Sequence, residues 1–380
     1  MEGHLPGATI GVVGGGQLGR MLAEAAGPLG VEVIVLDPTP DCPAVPPAAD
    51  QIVADFDDED AIRDLARRVD VLTLEIELAD PEGLSAAMAD TGTAVHPASA
   101  DLAMTRDKLA ESNALAEADV PVADFHRVDD VESLEDAFGD LGRPLMLKAR
   151  RGGYDGRGNA VVETVQAAQD YFGSLDGLVA EHLVDFEREV SVIGVRGVDE
   201  VATFPVGENV HEAEILRETL VPARTSDDVR QRADAVAREV LSIMDGRGTF
   251  GIELFETPAG EILVNEIAPR PHNSGHYSIE GATTSQFEQH VRAVLGYPLG
   301  DATLRDPTAM VNLLGTGEES RPAQLVGTDD ALAEPGAHLH WYGKREVRPL
   351  RKMGHLTATG EDVEAALETA RRARNAIEFE

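Results

Sequence analysis

The sequence predicts an α/β fold followed by an α+β fold. Two patterns and the length of the chain support this prediction. Strand and helix patterns alternate over roughly the first hundred residues, which is typical of a parallel sheet with helices on its faces. From about Ser99 onward, strands and hairpins follow one another with fewer crossover helices. The chain has 380 residues, 43% of them hydrophobic, and at about 150 residues per domain it is long enough for two or three domains.

The alternation begins with an apolar strand at 9–13, a helix at 17–26 and a second strand at 31–36. Further elements of the same rhythm are strands at 52–54, 71–75 and 94–96 and helices at 58–68 and 81–89.

One long helix is predicted from Ser99 to Ala118. The strands expected after it lie at 145–149, 160–163, 178–183, 190–195 and 310–314, with a hairpin over 249–267 and a closing amphipathic helix over 361–375.

The chain is strongly acidic, with 69 Asp and Glu against 32 Lys and Arg and a formal net charge of −37. This charge repels nucleic acid and anionic membranes, so neither is an expected partner. An anionic ligand must bind where cations cluster locally. The four lysines are Lys108, Lys148, Lys344 and Lys352. An acidic surface poor in lysine predicts a protein from a halophile; an arginine-favouring, GC-rich genome is the alternative.

The single cysteine, Cys42, excludes an internal disulfide framework and a cysteine zinc site. The first residues lack the pattern of a secretory signal, and no apolar run of about 18 residues occurs. We therefore expect a cytoplasmic protein without a membrane partner.

A glycine-rich loop, Gly14-Gly15-Gly16-Gln17-Leu18-Gly19, matches G-x-G-x-x-G between the first strand and the first helix, and Asp37 ends the next strand. This context is typical of a Rossmann-like nucleotide site, where glycines allow close approach of a phosphate to the helix N-terminus. Three interpretations remain open: the loop binds NAD, it binds another phosphate, or it only makes a tight turn.

A second glycine-rich loop, at 150–158, contains four glycines and three arginines, and Lys148 lies on the strand that enters it. Backbone N–H groups of such a loop can cover a polyphosphate while a strand lysine adds a point charge. A flexible hairpin with solvated arginines is the structural alternative.

The hairpin at 249–267 contains two candidate metal ligands, Glu253 and Glu266. If Glu256 pairs with Glu261, Glu253 faces Val264 and Glu266 is its diagonal neighbour, with Cβ atoms about 7–8 Å apart. Together with Asn265 they suit Mg²⁺, which takes a few protein oxygens and substrate phosphates. Two solvated glutamates are the alternative.

An irregular loop directly after this hairpin is rich in hydrogen-bond donors, among them Arg270, His272, Asn273, Ser274 and His276. Such a set predicts a site for an oxyanion.

These motifs together resemble the ATP-grasp superfamily, and in particular the PurK family of 5-(carboxyamino)imidazole ribonucleotide synthases. The resemblance extends over nearly the whole chain and includes GGGQLGRML, TLEIE, KARRGGYDGRG, NEIAPRPHNSGH and HLHWYGKREVRPLRKMGHL. It implies carboxylation of 5-aminoimidazole ribonucleotide with ATP and bicarbonate, through carboxyphosphate, in purine biosynthesis. It also implies Mg²⁺ as cofactor and a homodimer.

The resemblance implies four segments: a Rossmann-like pre-ATP-grasp domain at 1–98, an ATP-grasp lid subdomain at 99–185, a second grasp subdomain at 186–300, and a C-terminal segment at 301–380 with a basic hairpin.

The resemblance also implies roles for individual residues. Lys108 and Lys148 would contact the ATP phosphates, the 153–159 loop would be a lid, the 181–184 strand would bind adenine, and Glu189 would bind ribose. The implied ATP-binding residues are Lys108, Lys148, Gly153, Tyr154, Asp155, Gly156, Arg157, Gly158, Asn159, Glu181, His182, Leu183, Val184, Glu189, His211, Asn265 and Glu266. Glu253 and Glu266 would hold Mg²⁺, and the expected catalytic residues are Arg270, Lys148, Tyr154 and Asp155.

Five cations cluster between Lys344 and Lys352, a local exception to the acidic composition. We expect Lys344 and Arg351 to bind the substrate phosphate near the first glycine loop; a solvated basic hairpin face is the alternative. Glu75 and Glu77 are candidates for the ribose hydroxyls, and Tyr154 and Asp155 for the aminoimidazole. The full expected substrate set is Gly16, Gln17, Leu18, Glu75, Glu77, His272, Asn273, Ser274, Lys344, Arg351 and Lys352.

Three other functions compete with this interpretation. A formate-dependent glycinamide ribonucleotide transformylase shares the grasp motifs. An NAD oxidoreductase would use the first glycine loop but would leave the paired glutamates without a role. A nucleotide sensor without turnover is the non-enzymatic alternative, and the presence of Glu253, Glu266, Lys148 and Arg270 argues against it.

Overall fold

The structure is a computed structural model that describes residues 7–152 and 158–380. Its first sheet has five parallel strands in the order β3-β2-β1-β4-β5. These strands are β1 (Thr9–Val13), β2 (Glu32–Leu36), β3 (Asp50–Ile52), β4 (Val71–Leu74) and β5 (Ala94–Val95). The predicted N-terminal parallel sheet is therefore confirmed.

Three helices cover the two faces of this sheet: α1 (Gln17–Ala26), α2 (Glu59–Arg67) and α3 (Pro81–Thr91). The carboxylates of Asp58 and Asp80 begin α2 and α3 by accepting N–H bonds from Ala61 at 3.0 Å and Gly83 at 2.8 Å. The α1 face packs in one buried cluster and the α2–α3 face in another. Since both faces are covered, the central strands β1, β2 and β4 are mostly apolar, whereas the edge strand β3 contains Asp50 and Gln51.

The single helix predicted over 99–118 is wrong: the structure has α4 (Ser99–Thr105) and α5 (Lys108–Glu117), separated at Arg106 and Asp107. The Asp107 carboxylate accepts the N–H of Leu109 at 3.1 Å and so begins a new helix. The same carboxylate also accepts two hydrogen bonds from Arg150, at 2.8 and 2.6 Å. The break places Lys108 at the start of a helix.

A second sheet has four antiparallel strands in the order β6-β9-β7-β8. Its elements are β6 (Phe125–Val128), α6 (Val131–Leu141), β7 (Leu145–Ala149), β8 (Asn159–Val162), α7 (Val165–Phe172) and β9 (Leu178–His182). The two helices pack on the sheet around their own apolar cluster, which includes Leu134, Phe138, Leu147 and Ala168.

The third sheet has nine strands, and its main path runs β15-β14-β10-β12-β13-β16-β21-β19, with β11 paired to β10. Its elements begin with β10 (Arg188–Arg196), β11 (Val201–Thr203), β12 (Gly207–Glu212), β13 (Ile215–Val221), α8 (Asp227–Ser242), β14 (Gly248–Glu256), β15 (Ile262–Ala268), α9 (Ser278–Gly281) and α10 (Gln286–Leu295). The remaining elements are β16 (Thr308–Leu314), β17 (Arg321–Pro322), β18 (Leu325–Val326), α11 (Thr328–Ala333), β19 (Ala337–Trp341), β20 (Glu346–Val347), β21 (Lys352–Thr359), α12 (Val363–Ala376) and β22 (Glu378–Phe379).

The strands of the C-terminal segment extend this large sheet, because β16 pairs with β13 and β21 pairs with β16. The basic stretch at 344–352 connects β19 to β21 and is therefore attached to the sheet that carries the glutamate hairpin. Within the described residues, no helix is long and apolar enough to cross a membrane.

Candidate active site

The glutamate hairpin is formed by β14 and β15, and the register predicted for it is wrong. Glu256 pairs with Ile262 instead of Glu261, because Thr257 and Glu261 close the turn. A bulge then leaves Asn265 unpaired and sets Glu253 directly opposite Glu266. A bulge re-aims the side chain of its extra residue. The two carboxylates are therefore closer neighbours than the diagonal arrangement predicted.

The charge of this pair is balanced on one side by Lys108, whose Nζ lies 3.0 Å from Glu266 Oε2. The Lys108 charge lowers the pKa of Glu266, although burial opposes the shift. Burial and the neighbouring Glu266 charge raise the pKa of Glu253. The two facing carboxylates can carry two negative charges and Lys108 supplies one positive charge, so a further cation is needed for neutrality. Carboxylate oxygens with Asn265 beside them are the donor set that Mg²⁺ prefers.

Lys148 links the hairpin to the four-stranded sheet. It lies on β7, is 5% exposed, and its Nζ contacts Glu181 Oε2 on β9 at 2.6 Å. The same Nζ donates a hydrogen bond of 3.3 Å to Asn265 Oδ1. The structure thus brings five predicted ATP-binding residues together where two sheets meet: Lys108, Lys148, Glu181, Asn265 and Glu266.

Glu111 is a neighbour of this group that the sequence analysis missed. It is 5% exposed on α5, one turn after Lys108. Burial and the Glu266 charge raise its pKa to about 8, against the opposing charge of Lys108. The carboxyl is thus largely protonated at neutral pH and adds little repulsion to the pair. Its i+3 spacing from Lys108 places the two side chains on one face of a helix. The single helix predicted over 99–118 gave no reason to choose that face.

Glu189 and His211 form an ion pair across the adjacent strands β10 and β12. Although burial opposes it, the Glu189 contact raises the pKa of His211. Glu181 and His182 end β9, and Leu183 and Val184 follow directly. The predicted adenine residues therefore lie at the end of β9, and Glu189 and His211 lie on β10 and β12 of the large sheet.

The predicted lid lies largely outside the described residues, which omit Gly153, Tyr154, Asp155, Gly156 and Arg157. Of its described end, Gly158 O accepts the N–H of Ala149 at 2.7 Å. Asn159 lies opposite Lys148 in the β7–β8 register.

Arg270 and His272 lie at the end of the hairpin. Arg270 Nη2 contacts Glu77 Oε1 at 2.7 Å, and its buried Nε has no hydrogen-bond partner among the described residues. His272 Nε2 lies 3.5 Å from Glu253 Oε1. Burial and the Arg270 charge lower the pKa of His272 to about 3, so this imidazole is neutral at physiological pH. An unpartnered guanidinium donor beside the glutamate pair suits an oxyanion.

The rest of the irregular loop is held by the protein itself. Asn273 and Asn312 exchange two amide hydrogen bonds, at 3.2 and 2.8 Å. Ser274 Oγ lies 2.9 Å from His272 Nδ1. Asn312, on β16, is a second residue that the sequence analysis missed, because only the folded sheet brings it next to the loop.

The backbone N–H groups of the first glycine loop donate hydrogen bonds to carboxylates of this chain. Glu75 accepts the N–H of Gly16 and, at 2.7 Å, that of Gly19, while Asp37 accepts the N–H of Gly15 at 2.9 Å. Burial raises the pKa of Glu75 to about 6 although the N–H donors oppose the shift. A dinucleotide pyrophosphate would have to displace Glu75, so the geometry argues against the NAD interpretation.

The basic stretch meets this glycine loop. Lys344 Nζ donates to Gln17 Oε1 at 2.5 Å and to the carbonyl of Lys352 at 2.6 Å. Burial, followed by the charge of Arg351, lowers the pKa of Lys344 to about 7. Burial has the largest effect on the pKa of His211, Glu253 and His272, and Lys352 lies close enough to all three for its charge to lower the pKa of each. Of the predicted substrate-phosphate cations, Lys344 therefore contacts the glycine loop and Lys352 lies near the glutamate hairpin, whereas Arg351 Nη1 donates to the Glu346 carbonyl at 2.7 Å.

Comparison with known proteins agrees with this geometry. Three family models match in order: a ribonucleotide synthetase preATP-grasp domain at 7–106, an ATP-grasp domain at 113–287, and a phosphoribosylaminoimidazole carboxylase C-terminal domain at 308–369. The N5-carboxyaminoimidazole ribonucleotide synthase of Brucella melitensis is 42% identical over 357 residues, covering 93% of this chain and 96% of that protein. The chain belongs to the N5-carboxyaminoimidazole ribonucleotide synthase family.

Further members of the family show the same likeness. The synthase of Bacillus subtilis is 41% identical over 93% of this chain and 91% of its own length. The crystal structure of the Thermotoga maritima enzyme has a TM-score of 0.89 at 40% identity, covering 98% of this chain and 99% of that one. An Aspergillus clavatus synthase in complex with ADP and 5-aminoimidazole ribonucleotide has a TM-score of 0.89 at 34% identity, covering 97% and 98%.

These findings confirm the predicted ATP-grasp fold and the assignment to an ATP-dependent ligase of purine biosynthesis. They also decide against the formate-dependent transformylase and the NAD oxidoreductase. The phosphoribosylaminoimidazole carboxylase C-terminal model covers the basic stretch at 344–352.

Proposed function

We propose that this ligase transfers the γ-phosphate of ATP to bicarbonate and delivers the resulting carboxyl group to the amine of 5-aminoimidazole ribonucleotide. The supporting observation is the convergence of Lys108, Lys148, Asn265 and Glu266 at the meeting of two sheets, opposite Glu253. A second group of cations, at 344–352, includes Lys344 at the first glycine loop and suits a substrate phosphate.

At the ATP end, Lys148 and Lys108 contact the phosphates and exchange part of their present contacts with Glu181 and Glu266 for them. Residues 181–184 bind adenine, and Glu189 with His211 binds ribose. Residues 153–159 close over the nucleotide. Charge neutralisation and positioning supply most of the catalysis in phosphoryl transfer.

The glutamate pair is our proposed Mg²⁺ site. The facing carboxylates of Glu253 and Glu266 fit a divalent cation, since the Glu266 charge raises the pKa of Glu253 when no cation separates them. When bound there, Mg²⁺ would neutralise charge on the ATP phosphates.

Arg270 orients bicarbonate through its unpartnered Nε. A bicarbonate oxygen attacks the γ-phosphorus and ADP leaves, giving carboxyphosphate. Carboxyphosphate then breaks into carbon dioxide and phosphate, and the aminoimidazole amine bonds to the carbon and loses a proton. We assign Tyr154 and Asp155, which lie outside the described residues, to the aminoimidazole, and the 153–159 loop to the exclusion of water from the intermediate.

At the substrate end, Lys344, Arg351 and Lys352 bind the ribonucleotide phosphate beside the 16–18 loop. Glu75 and Glu77 are placed at the ribose, where Glu75 would change partners from the glycine N–H groups. His272, Asn273 and Ser274 contact the ribonucleotide, and the His272–Ser274 and Asn273–Asn312 hydrogen bonds hold their side chains in place.

The direct test is phosphate release from ATP by the purified full chain with Mg²⁺. Release is expected only when bicarbonate and 5-aminoimidazole ribonucleotide are both present. Release that needs neither compound, or that needs formate instead, would contradict the proposal. The assay should be run across potassium chloride concentrations, because the acidic composition makes salt a variable.

The lowered pKa of Lys344 predicts a pH-dependent affinity for the ribonucleotide. Above pH 7 the free enzyme loses this charge, so the KM for the ribonucleotide should rise by up to about tenfold per pH unit between pH 7 and 9. The Lys344→Arg variant keeps its charge and should show a nearly flat KM over this range. A flat wild-type profile would contradict the role of Lys344.

We further propose that the protein works in concentrated salt, in the cytoplasm, as a homodimer. The net charge of −37 and the four lysines support the first point. The unfolding midpoint should rise steadily between 0.1 and 2 M potassium chloride, because the screening length falls from about 10 Å at 0.1 M to about 3 Å at 1 M. An unchanged midpoint would favour the genome-composition explanation.

Light scattering measures the mass of the assembly and therefore tests the proposed homodimer.

A further inference from the structure

A cavity of about 310 Å³ lies between β13, β16 and α12, and the proposed mechanism does not use it. Three arginines line it: Arg217 from β13, and Arg371 and Arg374 from α12. Glu212, Glu218 and Asn375 also contribute to its wall. Three guanidinium groups in one small cavity are conspicuous in a chain of net charge −37.

One of the two carboxylates is already neutralised. Arg371 donates two hydrogen bonds to Glu218, at 2.6 and 2.7 Å, in the bidentate geometry that guanidinium and carboxylate prefer. Glu218 is 8% exposed, so this pair is part of the cavity wall. The positive charge available to a ligand therefore comes from Arg217 and Arg374.

The second carboxylate, on Glu212, compensates little of that charge. Its side chain is 78% exposed, and its Oε2 lies 3.4 Å from Arg217 Nε. Arg217 Nε is buried and has no hydrogen-bond partner among the described residues. The exposed Glu212 carboxylate makes an ion pair with this N–H but no hydrogen bond, so an anion in the cavity would be a better acceptor for it.

Arg374 is the second uncompensated group. Its Nη1 donates a hydrogen bond of 3.3 Å to the carbonyl of Ile377. Burial, followed by the charge of Arg217, lowers the pKa of Arg374. The two guanidinium groups therefore repel each other across the cavity, and an anion between them would attract both and offset that repulsion.

The backbone directs Arg217 to this place. Leu216 pairs with His211 and Glu218 pairs with Val210, so Arg217 is the extra residue of a β-bulge. Bulges re-aim side chains and are frequent next to functional sites. His211 lies opposite the same bulge, on the side of the proposed ribose site.

We propose that this cavity binds a small phosphate-bearing anion, either inorganic phosphate or a phosphate monoester, at a site separate from the proposed ATP and ribonucleotide sites. Guanidinium groups match phosphate oxygens with paired N–H donors, and the Asn375 side chain on the cavity wall adds a neutral amide donor. The volume is near the lower limit of small-molecule sites and fits phosphate or a sugar phosphate.

The test must separate this cavity from the cation cluster at 344–352. Calorimetric titration with inorganic phosphate and, in a second arm, ribose 5-phosphate is therefore done on the Lys344→Gln/Arg351→Gln protein. One binding event should remain in at least one arm, and the tighter arm identifies the anion. Adding Arg374→Gln should weaken that event at least about tenfold, as should Arg217→Gln. Glu334→Gln is the control: it removes a partner of Arg372, which lies on α12 with Arg374, and it should leave phosphate binding unchanged.

Folding is checked by thermal unfolding without phosphate. Because Arg374→Gln removes a like-charge contact and no carboxylate partner, its unfolding midpoint should equal or exceed that of its parent. Phosphate should raise the parent's midpoint and leave that of Arg374→Gln unchanged. The absence of binding in both arms, or binding that Arg217→Gln and Arg374→Gln leave intact, would overturn the proposal. These outcomes do not depend on turnover, so they are independent of the proposed reaction.

Discussion

Replacing Glu266 by Gln is expected to lower kcat at least about 1,000-fold, which corresponds to about 4 kcal/mol of lost transition-state stabilisation. Glu266 contacts Lys108 and faces Glu253, so its carboxylate serves both the phosphate lysine and the proposed Mg²⁺ site. The amide keeps the shape of the side chain but removes its charge. Single-turnover phosphate release with saturating ATP, bicarbonate and ribonucleotide measures the effect.

The fold should survive this change, because the Glu266 side chain is 44% exposed and the amide relieves repulsion with Glu253. Glu261→Gln, at the exposed turn of the same hairpin, is the matched control and should keep wild-type activity. Retained activity in Glu266→Gln would remove the metal role. An inactive but unfolded variant would leave a stability explanation, which a circular dichroism melt detects.

Replacing Lys148 by Met is expected to lower kcat at least about 100-fold, because it removes a cation aimed at the transferred phosphoryl group. It also leaves the partly buried Glu181 without its partner, 2.6 Å away in the wild type, and breaking a fully buried pair of this kind costs about 3–5 kcal/mol as an upper limit. Loss of activity in the single variant therefore has two possible causes.

The double variant Lys148→Met/Glu181→Gln separates these causes. It removes the unpaired carboxylate, so the unfolding midpoint should return toward the wild-type value while kcat stays low. Lys148→Arg, which keeps the charge, should recover part of the activity. If the double variant regained both stability and activity, Lys148 would have only a structural role.

The parallel sheet was predictable because its strands and helices follow local periodicity. Strands β1 and β7 and helix α1 have the predicted bounds, since turn residues or prolines flank these apolar runs. The break at Asp107 was not predictable from periodicity. Asp107 begins α5 as its N-cap, and Arg150, distant in sequence, holds the same carboxylate through two hydrogen bonds.

The residue types of the site were predictable, but the contacts between them were not. Counting from an assumed turn placed Glu253 opposite Val264, whereas the actual turn and the Asn265 bulge place it opposite Glu266. A one-residue change in a turn shifts every pair in a hairpin. The glycine loop matched a phosphate motif, yet its N–H groups donate to Glu75, which approaches from the end of another strand.

Glu111 and Asn312 show the same limit. Neither belongs to a motif, and each acquires its neighbours only when separate elements pack: α5 against the glutamate hairpin, and β16 against the 272–276 loop.

In the proposed reaction, bicarbonate is the nucleophile that attacks ATP. Single-turnover reaction with oxygen-18-labelled bicarbonate in unlabelled water, followed by mass analysis of the inorganic phosphate, tests it most directly. We predict phosphate carrying one labelled oxygen, because one bicarbonate oxygen stays on phosphorus when carboxyphosphate breaks. Unlabelled phosphate, formed while the ribonucleotide is carboxylated, would contradict the claim.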